Sequence, residues 1–262
     1  MVLSKGQPEE NYQNGLVDYN IYIMSFREKL AYILAVAALA FTIGFIFYHN
    51  VIMSLFLTPF ALLYPRIRTK EIIEKRKNEL NLQFKDMLYS LSSSLGAGKS
   101  VEASFKDVLN DLSIIYPNPE TYIIKEVEYI VRRIEINETI ESALEDLSDR
   151  SHIEDIQNFC DVFKTCKRTG GNMVEVIKNT SNIINDKIEI KEEINTLLAS
   201  KKFEQKVLTA MPVLMIVLLS VTAADYMAPV FEKLAGRIIM TVAIAVIVFG
   251  YFISKKIMNI KV

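Results

Sequence analysis

The sequence predicts an all-α protein with four transmembrane helices, paired in hairpins, and a six-helix bundle between the two pairs. Three observations carry this reading. The runs 30–65, 207–224 and 238–254 contain no Asp, Glu, Lys or Arg, and such runs suit a hydrocarbon core. The residues between the first run and the second are polar overall, yet their apolar side chains recur at three-and-four spacing, the period of a half-buried helix. The 262 residues hold no Trp, 9 Gly and 7 Pro, a composition that favours helices over turn-rich sheets.

Residues 1–29 form a polar N-terminal segment containing Gly6, Pro8 and Gly15. Little fixed structure is expected there, with Tyr19–Met24 suited to lie on a membrane surface. Ser25 and Glu28 make an S-x-x-E capping box for the first helix. The uncharged 36 residues from Leu30 to Pro65 measure about 54 Å as helix, against a hydrocarbon core of about 30 Å. One straight crossing cannot use that length. A hairpin over 30–65 can, with spans Leu30–Tyr48 and Val51–Tyr64, a tight turn at His49-Asn50 and a kink at Pro59. The late start and the length argue against a cleaved signal peptide.

A basic collar follows at once: Arg66, Arg68, Lys70, Lys75, Arg76 and Lys77. Such clusters mark the cytoplasmic side of a membrane. Residues 66–206 then read as the helical domain. Leu80, Phe84, Met87, Leu88, Leu91 and Leu95 form one apolar stripe. Gly96 and Gly98 end that helix and Ser100 caps the next. Asn118-Pro119-Glu120 reads as N-cap, first-turn proline and first-turn acid. Asn137 or Thr139 opens a helix through Leu147, and Ser151 with Glu154 makes another S-x-x-E box. Phe159, Val162, Phe163 and Cys166 continue that helix until Thr169, Gly170 and Gly171 stop it. Asn172 restarts the chain as an N-cap, with Glu175 three residues on. The last helix has no stop before Lys206. "GAGKSVEASF" and "RTGGNMVEVI" share an order of glycine turn, cap and apolar restart; a duplication of two three-helix halves explains this, and so does chance likeness between helix caps.

The second hairpin, 207–254, comprises the span Val207–Ala224 with Pro212 inside it, a short charged loop from Asp225 to Arg237, and the span Ile238–Ser254. A tail, 255–262, opens with Lys255 and Lys256. Lys and Arg are dense in 66–206, present at both termini and sparse in the two short loops. The positive-inside rule therefore puts both termini and the main domain in the cytoplasm.

Net charge is -1, which gives no overall pull toward nucleic acid. Within the domain charge is polarised: from Glu102 to Asp161 fifteen acids face five bases. Glu138, Glu141, Glu145, Asp146 and Asp149 mark the candidate partner surface, offered to a basic partner or simply solvated.

Enzymatic signatures are weak. Gly98-Lys99-Ser100 resembles the end of a phosphate loop, but Ser93 stands where the template needs glycine and a helix stands where it needs a strand. His49 and His152 fall on opposite sides of the predicted membrane and cannot share a metal. Cys160 and Cys166 sit about 240° apart around one helix, read as thiols in a reducing compartment. There is no G-x-S-x-G, and carboxylates are expected on solvated helix faces. Intramembrane ionisable residues, the usual mark of an ion pathway, are missing from the spans. No catalytic, cofactor-binding or metal-binding residue is assigned. The structural turn residues Gly96, Gly98, Thr169, Gly170, Gly171 and Asn172 are the positions singled out.

The stretch "SLSSSLGAGKSVEASF", the "KRTGGNMVEVI" turn, "KKFEQKVLTAMP" before the third span, and the ending "GRIIMTVAIAVIVFGYFISKKIMNIKV" resemble the type II secretion F-domain family. Within it they are most similar to the inner-membrane platform proteins of Tad (Flp) pilus assembly. The resemblance covers most of residues 70–262. It implies a bacterial inner-membrane protein with a cytoplasmic F-like helical domain and no catalytic residues or cofactor of its own. It further implies work beside a hexameric secretion ATPase and the handling of pilin-like subunits, in contact with the membrane lipid bilayer. A homo-oligomer, or a pair with a related platform subunit, is the expected assembly. The alternative is a membrane-anchored helical interaction or signalling protein unrelated to secretion.

Overall fold

The computed structural model describes residues 12–13, 16–56 and 58–258, and these are helical nearly throughout. Two short strands, β1 (Tyr12–Gln13) and β2 (Leu16–Val17), pair antiparallel with Tyr12 opposite Val17. The helices are α1 (Phe26–Tyr48), α2 (Val51–Leu55), a 3-10 turn over Thr58–Leu63, α3 (Tyr64–Gly96), α4 (Val101–Ile115) and α5 (Tyr122–Glu135). Then come α6 (Ile140–Ser151), α7 (Glu154–Thr169), α8 (Met173–Thr222), α9 (Ala224–Glu232) and α10 (Leu234–Met258). Among the described residues four helical segments are long and apolar enough to cross a membrane: Phe26–Tyr48, Val51–Gly96, Met173–Thr222 and Ala235–Ser254. The predicted all-α class with four spans and a six-helix bundle therefore stands.

The chain divides into two units. The bundle unit takes the described residues up to Ser25 together with Arg68–Glu189; the spanning unit takes Phe26–Ile67 and Ile190 onward. In the bundle unit the apolar stripes of six helical segments close on one core. Leu80, Phe84 and Leu91 of α3, Phe105 and Leu112 of α4, Val127 and Ile130 of α5, and Leu144 and Leu147 of α6 are fully buried. Phe159 and Phe163 of α7 and Ile177 of α8 complete it. Phe84 meets Phe159 edge to face, ring centroids 5.4 Å apart. Each such side chain contributes about 1.5–3 kcal/mol on burial, which is what holds six polar-faced helices together.

Of the N-terminal segment, Gly6, Pro8 and Gly15 lie outside the described residues; the described part has more fixed structure than expected, with Leu16–Tyr19 buried against the bundle. In the stretch suited to a membrane surface, Tyr19 and Met24 are buried and Ile21 and Ile23 are exposed. Tyr19 N–H donates to the Arg150 carbonyl at 3.0 Å. The Arg76 guanidinium lies over the Tyr22 ring, 4.7 Å from its centroid, and Lys77 Nζ donates to Asn20 Oδ1 at 2.8 Å. Residues 16–22 thus strap α3 to α6.

Two helix starts also differ. Asn118 does not cap α5; its Oδ1 accepts from Glu120 N–H, forming a turn that delays the helix to Tyr122. The cap comes from another helix, where Gln83 Oε1 accepts from Ile123 N–H at 3.2 Å. Ser151 and Glu154 form no capping box: Ser151 ends α6, His152 turns with φ +49, and Ile153 is the cap residue, without a side-chain bond.

In the spanning unit the His49-Asn50 turn joins α1 to α2, with His49 at φ +45 and Asn50 Oδ1 accepting from Ile52 N–H at 2.9 Å. The second span is no single helix: α2 stops at Leu55 and a 3-10 turn precedes α3. The Asp225–Arg237 loop is mostly helix. Met227 of α9 is buried with Phe47, Tyr48 and Met240, and that packing outweighs the loop-like charges in the sequence. Tyr48 and Thr241 hydroxyls bond at 2.9 Å between α1 and α10.

Candidate functional site

The turn that ends α7 is built by glycine. Gly170 has φ +73 and donates its N–H to the Cys166 carbonyl. Gly171 N–H donates to the same carbonyl at 3.0 Å; the first bond is the 5→1 bond of an αL end and the second the 6→1 bond of a Schellman end. Thr169 Oγ donates back to Thr165 O at 2.9 Å. Asn172 Oδ1 then accepts from Glu175 N–H at 3.3 Å, and Asn172 Nδ2 reaches the Glu175 carboxylate at 3.3 Å. At the other glycine turn α3 ends on Gly96, Gly98 has φ +82, Lys99 N–H donates to Ser94 O, and Ser100 Oγ accepts from Ala103 N–H. A third turn has the same order. Asn137 has φ +63, Glu138 N–H donates to Arg133 O, and Thr139 Oγ accepts from Ser142 N–H.

Each turn runs left-handed residue, one spacer, cap. Because it recurs at α3–α4, α5–α6 and α7–α8, it does not fall at matching places in two three-helix halves. The sequence likeness between the first and last is capping chemistry, not a sign of that duplication.

The centre of the bundle unit holds a polar network that the sequence reading missed. Arg150 of α6 and Glu126 of α5 are each 1% exposed at the side chain. They pair through two bonds, Nη1 to Oε1 at 2.7 Å and Nη2 to Oε2 at 2.6 Å. Arg150 Nε also donates to Asp146 Oδ2 at 2.8 Å, and the Tyr19 hydroxyl donates to Glu126 Oε1 at 2.8 Å. Burial works against the Arg150 charge, but the Glu126 and Asp146 carboxylates outweigh it and hold the guanidinium pKa above its ordinary value. Burial, then the neighbouring Glu126 carboxylate, pushes the Tyr19 hydroxyl well up.

The expectation that carboxylates sit on solvated faces is corrected here. The signal was present: Glu126 falls in the α5 stripe of Ile123, Val127 and Ile130, and Arg150 follows Ala143, Leu144 and Leu147 on α6. One acid and one base in the apolar registers of successive helices point to a buried pair.

The five candidate partner carboxylates lie close together along Glu138–Asp149, but four of them are in ion pairs within the chain. Glu138 pairs with Arg133, Glu141 with Lys167 at 2.7 Å, Glu145 with Lys164 at 3.2 Å and Asp146 with Arg150. Asp149 is exposed. The surface they present is therefore far less negative than the residue tally. Cys160 and Cys166 are both buried. Burial first, then nearby carboxylates, pushes the Cys160 thiol up to about 12, which suppresses its nucleophilic form. His152 belongs to the bundle unit and His49 to the spanning unit. Among the described residues, no three His, Cys, Asp or Glu side chains gather as metal ligands do. The geometry is that of helices fastened to one another, with its strongest polar bonds turned inward.

Comparison with known proteins gives one finding. A family model described as type II secretion system (T2SS), protein F, matches residues 85–221, just over half of the chain. No curated protein and no solved structure matches. The matched region runs from within α3 to the end of α8 and includes all three turns and the Glu126–Arg150 pair.

Proposed function

Given that the chain belongs to the type II secretion system protein F family, whose members are multi-pass, non-catalytic inner-membrane platform components, we propose that it couples a cytoplasmic hexameric secretion ATPase to the extraction and assembly of pilin-like subunits. The machine is of the Tad (Flp) pilus type. Both termini and the bundle unit face the cytoplasm, and the ATPase moves the bundle.

One observation carries the coupling step. Helix α8 is a single run of 50 residues, Met173–Thr222, about 75 Å long at 1.5 Å per residue. Its first part belongs to the bundle unit and the rest to the spanning unit. No glycine or proline interrupts it before Pro212. An unbroken helix transmits displacement or rotation along its axis, because its backbone hydrogen bonds resist local bending, and kinks arise mainly at proline, glycine or bulges.

A flexible Gly-Ser insert near Ala199 tests this. It is expected to abolish pilus assembly while the protein still accumulates in the membrane. Normal piliation with the insert in place defeats the coupling step. Crosslinking in native membranes, followed by identification of the partners, tests the assignment itself: recovery of a secretion ATPase supports it, and recovery of signalling components alone favours the membrane-anchored interaction protein.

A further inference from the structure

Within the spanning unit, α8 and α10 leave a cleft of about 560 Å³ between them, a size in the range of sites for single organic ligands. Leu208 on α8 and Ile247 and Tyr251 on α10 line its inner part; Lys201 and Glu204 line its mouth, beside the apolar Leu198 and Ile257. The two parts meet where the uncharged runs end, at Val207 on α8 and Ser254 on α10. The inner part therefore lies at hydrocarbon depth and the mouth at headgroup depth.

We propose that this cleft holds one anionic phospholipid of the surrounding bilayer, its phosphate at Lys201 and an acyl chain along Leu208, Ile247 and Tyr251. This goes beyond the platform assignment and stands whether or not the chain drives pilus assembly. Charge selects the lipid class. Lys201, Lys202 and Lys206 face only Glu204 in that stretch, and Lys255 and Lys256 follow the fourth span. Juxtamembrane basic clusters of this kind attract anionic lipid. The Lys201–Glu204 pair, 2.9 Å long, leaves the lysine side chain 68% exposed, and a surface pair of that sort yields readily to a phosphate. Shape supports a chain-like occupant. Gly250 lines the cleft, and a Cβ added there meets nothing within 4 Å, so the wall is open where an acyl chain passes.

The test is native mass spectrometry of the purified full-length chain, released from nanodiscs containing equal phosphatidylglycerol and phosphatidylcholine. The wild type is expected to retain one phosphatidylglycerol in preference to phosphatidylcholine. Lys201→Gln should lower that preference about fivefold, the factor for one lysine near an anionic surface. Gly250→Leu should remove the retained lipid by filling the cleft. Lys106→Gln, a basic residue of α4 in the bundle unit, should change neither. Equal retention of the two lipids, an unaltered preference in Lys201→Gln, or capture of a second polypeptide instead of lipid by a photocrosslinker at Tyr251 would each overturn the proposal.

Discussion

Substituting Glu126 with Ala strips the main counter-charge from a buried guanidinium. Removing one member of a buried ion pair generally costs about 3–5 kcal/mol, since the other is left uncompensated. Arg150 keeps two bonds, Nε to Asp146 Oδ2 at 2.8 Å and Nη1 to the Val17 carbonyl at 3.4 Å, and the Asp146 carboxylate is 20% exposed. The cost is therefore expected at the low end, about 3 kcal/mol. For a bundle of this size such a loss lowers the melting temperature by about 6–12 °C. A thermal melt of the purified full chain in detergent reads the shift.

Cys160 supplies a second readout. Its thiol is buried and donates to the Leu144 carbonyl at 3.2 Å, so its alkylation requires the bundle to open. In a Cys166→Ala background the labelling rate should rise about a hundredfold, the population change equivalent to that energy. Replacing the pair together, Glu126→Met with Arg150→Met, should recover most of the loss, because apolar residues of similar volume commonly substitute for a buried pair at little cost. A melt shifted by less than about 1 °C in Glu126→Ala, or a double variant no better than the single, would refute the reasoning.

The turn at Gly170 gives a second expectation. Valine there must take φ +73, which costs an L-residue about 1–2 kcal/mol, and valine at Gly171 places a Cβ 2.9 Å from Cys166 Sγ. The double Val variant should melt well below Gly170→Asn, since asparagine tolerates the left-handed region; equal melts would remove the conformational argument. A third concerns pH. Tyr19 and Tyr116 have hydroxyl pKa values raised in the fold, each by burial first and then by a carboxylate, Glu126 and Asp86 respectively. Their contribution is complete below the unfolded value of about 10 and is lost as pH rises above it. Tyr19→Phe with Tyr116→Phe should flatten the alkaline limb of the stability curve. Burial raises the Glu141 carboxyl, but its bond to Lys167 outweighs this and leaves the pKa lowered. That contribution is complete above about 4.3 and is lost as pH falls below it, so Lys167→Gln should blunt the acid limb; an unchanged limb would count against the pairing.

What the sequence made legible is what local chemistry decides. The spans show because uncharged length has one use in a bilayer. The turn at Gly170 shows because a glycine followed by a capping side chain has few conformations to choose from. The start of α5 did not show, because its cap, Gln83, comes from another helix 40 residues away. Helix α9 was hidden by Asp225 and Glu232, which suggest a loop until Met227 is seen to have a pocket. The strap at Tyr19 was the largest omission, its partner Glu126 lying 107 residues on. Nothing near Tyr19 announces that bond; only the misplaced acid on α5 and base on α6 do.

That separation dictates an order of events at the ribosome. Tyr19 is synthesised before the first two spans, and the carboxylate and carbonyl that receive it emerge only after those spans are complete. Its seat does not exist until α5 and α6 have closed on each other, so the strap cannot dock before Arg150 has been made. A chain stalled or truncated ahead of Arg150 would leave this opening stretch unanchored. Proteolytic sensitivity just before α1 should therefore mark nascent or misassembled copies and disappear from finished ones.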